Sequence, residues 1–123
     1  MNARVLDDAT VGTVTIGGDL TVRRLGFGSM RISGARNAEG VRDRDTARQL
    51  VRRVVERGVN LIDTANIYGY GESEEIIAEA LYPYPKDLVI TTKAGFKPAK
   101  ILKGHATLPA FGDPAHIIEE CEK

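Results

Sequence analysis

Apolar residues along the chain change period several times, and each change marks an element. From Asp43 onward Ala47, Leu50, Val51, Val54 and Val55 fall at i, i+3, i+4, i+7 and i+8, with Arg48, Arg52, Arg53 and Glu56 elsewhere. That spacing lines one face of a helix and predicts the strongest helix in the chain. Asp43 can cap its start and Gly58 can stop it. Val59-Asn60-Leu61-Ile62 then reads as a short buried strand. Ile76, Ile77, Ala80 and Leu81 mark a second helix starting near Ser73, ended by Pro83 and Pro85. Leu88 to Thr92 is β-branched and apolar enough for another buried strand. Asp113-Pro114 opens a third helix, with Asp as N-cap and Pro at the first helical position.

Upstream, Val11 to Arg24 places alternating Val, Thr and Ile on either side of Gly17-Gly18-Asp19, which predicts a β-hairpin. Leu25-Gly26-Phe27-Gly28 suits a first strand, followed by a loop from Ser29 to about Arg42. A second long loop, rich in Gly, Pro and Lys, is expected from Ala94 to Gly112. The order is hairpin, β, α, β, α, β, α, an α/β pattern of parallel βαβ units. A doubly wound sheet would announce a nucleotide with G-x-G-x-x-G, but Gly26-Phe27-Gly28-Ser29-Met30-Arg31 has Arg in place of the third glycine. The expected fold is therefore the N-terminal part of a (β/α)8 TIM barrel, with the hairpin at 11–24 and about three βα units over 25–123.

Composition narrows the partners. Seventeen Lys plus Arg balance seventeen Asp plus Glu, so overall charge draws the protein neither to nucleic acid nor to an anionic membrane. Small molecules are the expected partners. The start, MNARVLDDATVGTVTIGG, has acidic residues where a signal peptide needs an apolar core, which makes the cytoplasm the default location. Cys121 is the only cysteine, which excludes an internal disulfide, and its neighbours Ile117 and Ile118 suggest a small core residue.

Candidate chemistry gathers at strand ends. Asp63 follows the strand VNLI, Lys93 follows LVITT, and Tyr68 lies in the loop after Asp63. In a barrel of parallel strands the C-terminal strand ends carry the active site. GFGSMR, LIDTANIYGYGESE and LVITTK, in this order, resemble the N-terminal motifs of aldo-keto reductases, and the resemblance covers nearly the whole chain. It implies a nicotinamide-dependent carbonyl reductase on a (β/α)8 barrel, with NADPH or NADH as hydride donor and no metal. Asp63, Tyr68 and Lys93 resemble three members of that family's catalytic tetrad. Ser29, Met30 and Arg31, with Asp63, occupy positions the resemblance places near the nicotinamide end of the cofactor, and the hairpin resembles the one that plugs the bottom of those barrels.

Carbonyl reduction leaves an alkoxide that needs a proton, and Tyr68 is the candidate donor. A free phenol titrates near ~10, and a close ammonium such as Lys93 favours the phenolate, with Asp63 keeping that ammonium charged and oriented. Taken singly each residue has an ordinary reading: Asp63 a turn cap, Tyr68 a loop aromatic, Lys93 a solvated charge. Their agreement in order and spacing favours the catalytic one.

The fourth tetrad member is a histidine at the end of the fourth strand, which the chain does not reach. Neither His105 nor His116 matches it; both read as surface histidines, with no spacing that suggests a metal site. A barrel of this type takes about 250 residues and builds its phosphate site from late loops. The chain alone is expected to be inactive, with weak cofactor affinity and self-association through exposed sheet edges. Lys97, Lys100 and Lys103 read as a solvated loop surface rather than an anion site. Two alternatives stay open: a non-catalytic interaction or assembly module, and a truncated product without function.

Overall fold

The computed structural model describes residues 5, 7–98, 100–102 and 105–123. A single helical turn, α1 (Asp8–Val11), leads into a hairpin of β1 (Thr13–Ile16) and β2 (Leu20–Arg23). Thr13 pairs with Arg23 and Ile16 with Leu20, leaving Gly17, Gly18 and Asp19 as the turn. Both glycines take positive φ, 64° and 91°, a region that side chains resist.

The chain then builds two βα units and a third strand: β3 (Phe27–Gly28), α2 (Arg44–Glu56), β4 (Leu61–Asp63), α3 (Glu72–Leu81) and β5 (Val89–Thr91). The strands lie parallel in the order β3-β4-β5, with Phe27 beside Ile62, Ile62 beside Ile90, and Asp63 beside both Gly28 and Thr91. Each helix forms where the apolar period places it. Asp43 caps α2 by accepting the amides of Asp45 and Thr46 at 3.1 and 3.0 Å. At the other end Gly58 donates to the Val55 carbonyl at 2.8 Å and Val59 to that of Val54 at 3.3 Å, closing the helix with a glycine at φ 95°.

Ile62 has no exposed surface and packs with Ile32, Ala47, Val51, Ile76 and Ile77 between the sheet and the two helices. Because strand side chains alternate, burying Ile62 against the helices sends Leu61 and Asp63 to the opposite face. The helices are also joined at the surface, where Arg44 bonds Glu75 and Glu79 at 2.9 and 2.8 Å and Arg48 bonds Glu79 at 2.7 Å.

Several sequence expectations are corrected. The strand expected at 59–62 begins two residues later, because Val59 belongs to the helix stop and Asn60 uses its side chain to hold the hairpin. The region expected as a loop from Ala94 to Gly112 contains an antiparallel pair, β6 (Lys100–Leu102) and β7 (His105–Thr107). Local pairing gives its backbone groups partners that a bare loop would leave to water. The expectations for Lys103, and for the side chains of Lys100 and His105, lie outside the described residues. Lys97 places its ammonium 3.4 Å from the centre of the Phe111 ring.

The last helix, α4 (Pro114–Glu122), is capped by Asp113, which accepts from Ala115 and His116 at 3.0 and 3.2 Å, but it buries none of its residues. Cys121 is accordingly exposed rather than a core residue. His116 is not a surface histidine: its side chain is 13% exposed, with the ring against Phe111 and Nδ1 4.0 Å from Glu120. Neighbours brought by the 94–112 segment, invisible in the helix's own sequence, account for the difference. Among the described residues no helix is long and apolar enough to cross a membrane.

Candidate active site

Parallel pairing brings the C-terminal ends of all three strands to one edge of the sheet. The hairpin takes the opposite edge, since Arg23 at the end of β2 bonds Asn60, just before β4, and its guanidinium donates to the Gly58 carbonyl at 2.9 Å. The hairpin thus does not cover the edge beyond Gly28, Asp63 and Thr91.

Asp63 and Lys93 meet there. The Lys93 ammonium donates to both carboxylate oxygens of Asp63, at 2.8 and 2.7 Å, and to the Thr64 carbonyl at 2.9 Å. Thr91 Oγ1 donates to Asp63 Oδ1 at 3.0 Å. Lys93 Nζ also lies 5.3 Å from the centre of the Tyr68 ring, within cation–π range. The three sequence-predicted groups therefore form one cluster, with the ammonium between carboxylate and phenol.

The ion pair shifts both of its members. The ammonium bonded to Asp63 holds its carboxyl below the usual carboxylate value, against a smaller opposing effect of burial and with help from Thr91. Asp63 in turn raises Lys93, with desolvation opposing and Tyr68 a lesser contributor. Both side chains stay about half exposed, 49% for Asp63 and 48% for Lys93, so the pair faces solvent and not a sealed core.

The loop after β3 sets the other side of this edge. Ser29 is fully buried and gives both its amide and its hydroxyl to the Asp63 carbonyl, at 2.9 and 3.0 Å. Met30 is 52% exposed, and Arg31 is exposed where it leads into a turn of 3-10 helix over Ile32–Gly34. Of the three loop residues, Met30 and Arg31 thus present side chains to solvent beside Asp63 and Ser29 does not. Sequence reasoning missed Thr91, a ligand of Asp63, and Ser73, which joins this loop to α3. Neither carries a signal of its own in the sequence, since both are small hydroxyl residues in regular elements.

A cleft of about 800 Å³ opens between α3 and α4, lined by Asn66, Tyr70, Glu74, Phe96 and His116 among others. Asp63, Tyr68 and Lys93 do not line it. The convergence of charged and hydroxyl groups, not concavity, locates the candidate site.

Comparison with known proteins bears on the family and the fold. The sequence model of the aldo/keto reductase family matches residues 24–123. Pyridoxine 4-dehydrogenase of Escherichia coli is 42% identical over 100 residues, covering 81% of this chain and 34% of the relative. NADH-specific methylglyoxal reductase of the same organism is 37% identical over 78 residues, 63% of this chain and 24% of the relative. Among solved structures, the holo form of an aldo-keto reductase from Bacillus halodurans superposes with a TM-score of 0.69 at 29% identity, covering 89% of this chain and 34% of that one. A glycerol dehydrogenase from Gluconobacter oxydans gives 0.69 at 30% identity, covering 89% and 33%. The chain spans about a third of the length of the relatives named here with the broadest overlap. Its α/β fold is thus part of a (β/α)8 barrel, without closure.

Proposed function

Because this chain belongs to the aldo/keto reductase family, we propose that it contributes the proton-donating part of a site that reduces small aldehydes or ketones to alcohols with NADPH or NADH. The observation that carries this reading is the position of Lys93, bonded to Asp63 and set against the ring of Tyr68.

The chain's own residues have distinct parts. Tyr68 gives its phenolic proton to the oxygen of the reduced carbonyl, and the Lys93 ammonium stabilises the phenolate left behind. Asp63 keeps that ammonium charged and restrains its position through two hydrogen bonds. A reduced nicotinamide, when bound, supplies the hydride. Room for the reactive end of such a cofactor is supported by Gly28, where an added Cβ would meet nothing within 4 Å, beside the half-exposed carboxylate of Asp63, its partner in the strand register. Met30 and Arg31 would line it with their side chains, Ser29 with its backbone.

The test is oxidation of NADPH or NADH with a simple aldehyde by the protein as its gene encodes it. Tyr68→Phe should lower kcat/KM by about 100-fold or more, the range of a lost general acid, while leaving cofactor binding by fluorescence unchanged. A Tyr68→Phe variant as fast as the parent refutes the assignment. We also propose that a chain presenting this sheet self-associates, because β3 and β5 are each paired on one side only among the described residues. Size-exclusion chromatography reads that directly.

A further inference from the structure

Asp63 and Tyr68 belong to different stretches of backbone, and a buried pair of serines ties those stretches together. Ser73, the second residue of α3, has no exposed surface. Its amide donates to the Tyr68 carbonyl at 3.2 Å, and its hydroxyl donates to the Ser29 carbonyl at 3.3 Å. Ser29, equally buried, donates twice to the Asp63 carbonyl, from N at 2.9 Å and from Oγ at 3.0 Å. The next residue of α3, Glu74, accepts from Thr92 Oγ1, one residue before Lys93. The first turn of α3 thus reaches the backbone of Tyr68, the loop that grips Asp63, and the strand end that carries Lys93.

A buried hydroxyl costs desolvation unless it is bonded, and alanine would fill nearly the same space without that cost. Serine at both positions is therefore explained by the bonds it makes. We infer that Ser73, acting through Ser29, is a positioning residue that fixes the spacing of Tyr68 and Asp63 about the Lys93 ammonium. The inference rests on the reading of these three groups as one proton-donating cluster. It touches neither substrate nor cofactor, and its effect runs through the main chain.

The test follows the Asp63 carboxyl by carbon-13 NMR titration in Ser73→Ala, with Val51→Ala as a control that weakens the core without removing a hydrogen bond of the serine pair. Loosening the anchor lowers the population of the Asp63–Lys93 pair, so the Asp63 titration in Ser73→Ala should move up by about half a pH unit, the scale of a weakened half-exposed ion pair. Val51→Ala should titrate as the parent does. A folded Ser73→Ala with the parent's titration overturns the proposal, and so does an equal shift in Val51→Ala. If Ser73→Ala does not fold, Ser29→Ala removes one of the two bonds to the Asp63 carbonyl and is judged by the same two outcomes. Turnover plays no part in this readout. Carbonyl reduction unaffected by Tyr68→Phe would defeat the reading of Tyr68 as proton donor, and that result is distinct from an unmoved Asp63 titration.

Discussion

Asn60 accepts the backbone amide of Arg23 on its side-chain oxygen at 2.8 Å, joining the hairpin to the sheet at the end opposite the candidate site. Its amide nitrogen donates to the Asp87 carbonyl at 3.2 Å, so one residue that is 8% exposed links β2, the entry to β4 and the approach to β5. Replacing it by leucine leaves the Arg23 amide without this acceptor, a loss of about 1–3 kcal/mol. Asn60→Asp keeps an acceptor for Arg23 and loses only the donor to Asp87. Urea denaturation should rank the parent above Asn60→Asp and Asn60→Asp above Asn60→Leu, and hydrogen exchange at Arg23 should accelerate chiefly in the leucine variant. Equal stability of all three would remove the anchoring role.

The Asp63–Lys93 pair makes stability depend on pH in a defined window. Asp63 is held below its ordinary value of 3.8 in the folded protein, so its contribution is complete above that value and is lost as pH falls through the folded one. Lys93 is raised above 10.5, so its contribution is complete below that value and is lost as pH rises through the folded one. Between these limits Asp63→Asn should cost under about 1 kcal/mol, because both side chains are half exposed and solvent screens the pair. The difference from the parent should close in acid as Asp63 of the parent protonates. Thermal melts of both proteins across the pH range check this, and a difference that widens in acid would contradict it.

Gly69, next to Tyr68, is held by both conformation and space. Its φ is +63°, and a Cβ there would lie 2.6 Å from Ser33 Cβ and 3.1 Å from Glu72 Cβ. Gly69→Ala should destabilise by about 1–2 kcal/mol for the left-handed backbone, plus the cost of the overlap. Ser33→Gly in the same protein removes the closest contact and should recover part of the loss, while the backbone term stays. Failure of Ser33→Gly to recover anything would show that the overlap is absorbed by movement of the loop. The Tyr68 loop is expected to shift in Gly69→Ala, and the Tyr68 ring resonances report it.

Much of this protein was legible from its residues. The helix over Arg44–Glu56 follows from apolar residues at helical spacing, an aspartate before it and a glycine after it, all of them local properties. The hairpin turn follows from Gly17-Gly18-Asp19, and the N-cap of the last helix from Asp113-Pro114. The candidate site was marked in the same way, because Asp63 ends one strand, Lys93 lies just past the next, and parallel strands place such residues at one edge.

What the sequence could not supply depends on contacts between distant segments. Asn60 looks like a strand residue until Arg23, 37 positions away, is beside it. His116 and Cys121 share one helix, yet Phe111 covers the histidine while the cysteine stays exposed, a difference set by how the preceding segment folds back. Ser29 and Ser73, 44 positions apart, are ordinary small residues in the sequence and a buried hydrogen-bonded pair in the fold. Local pattern determined the elements, their order and the edge that carries the chemistry, because period, caps and turn residues act over a few positions. Tertiary structure alone decided which polar groups are buried together, because a hydroxyl's partner depends on packing across the whole core.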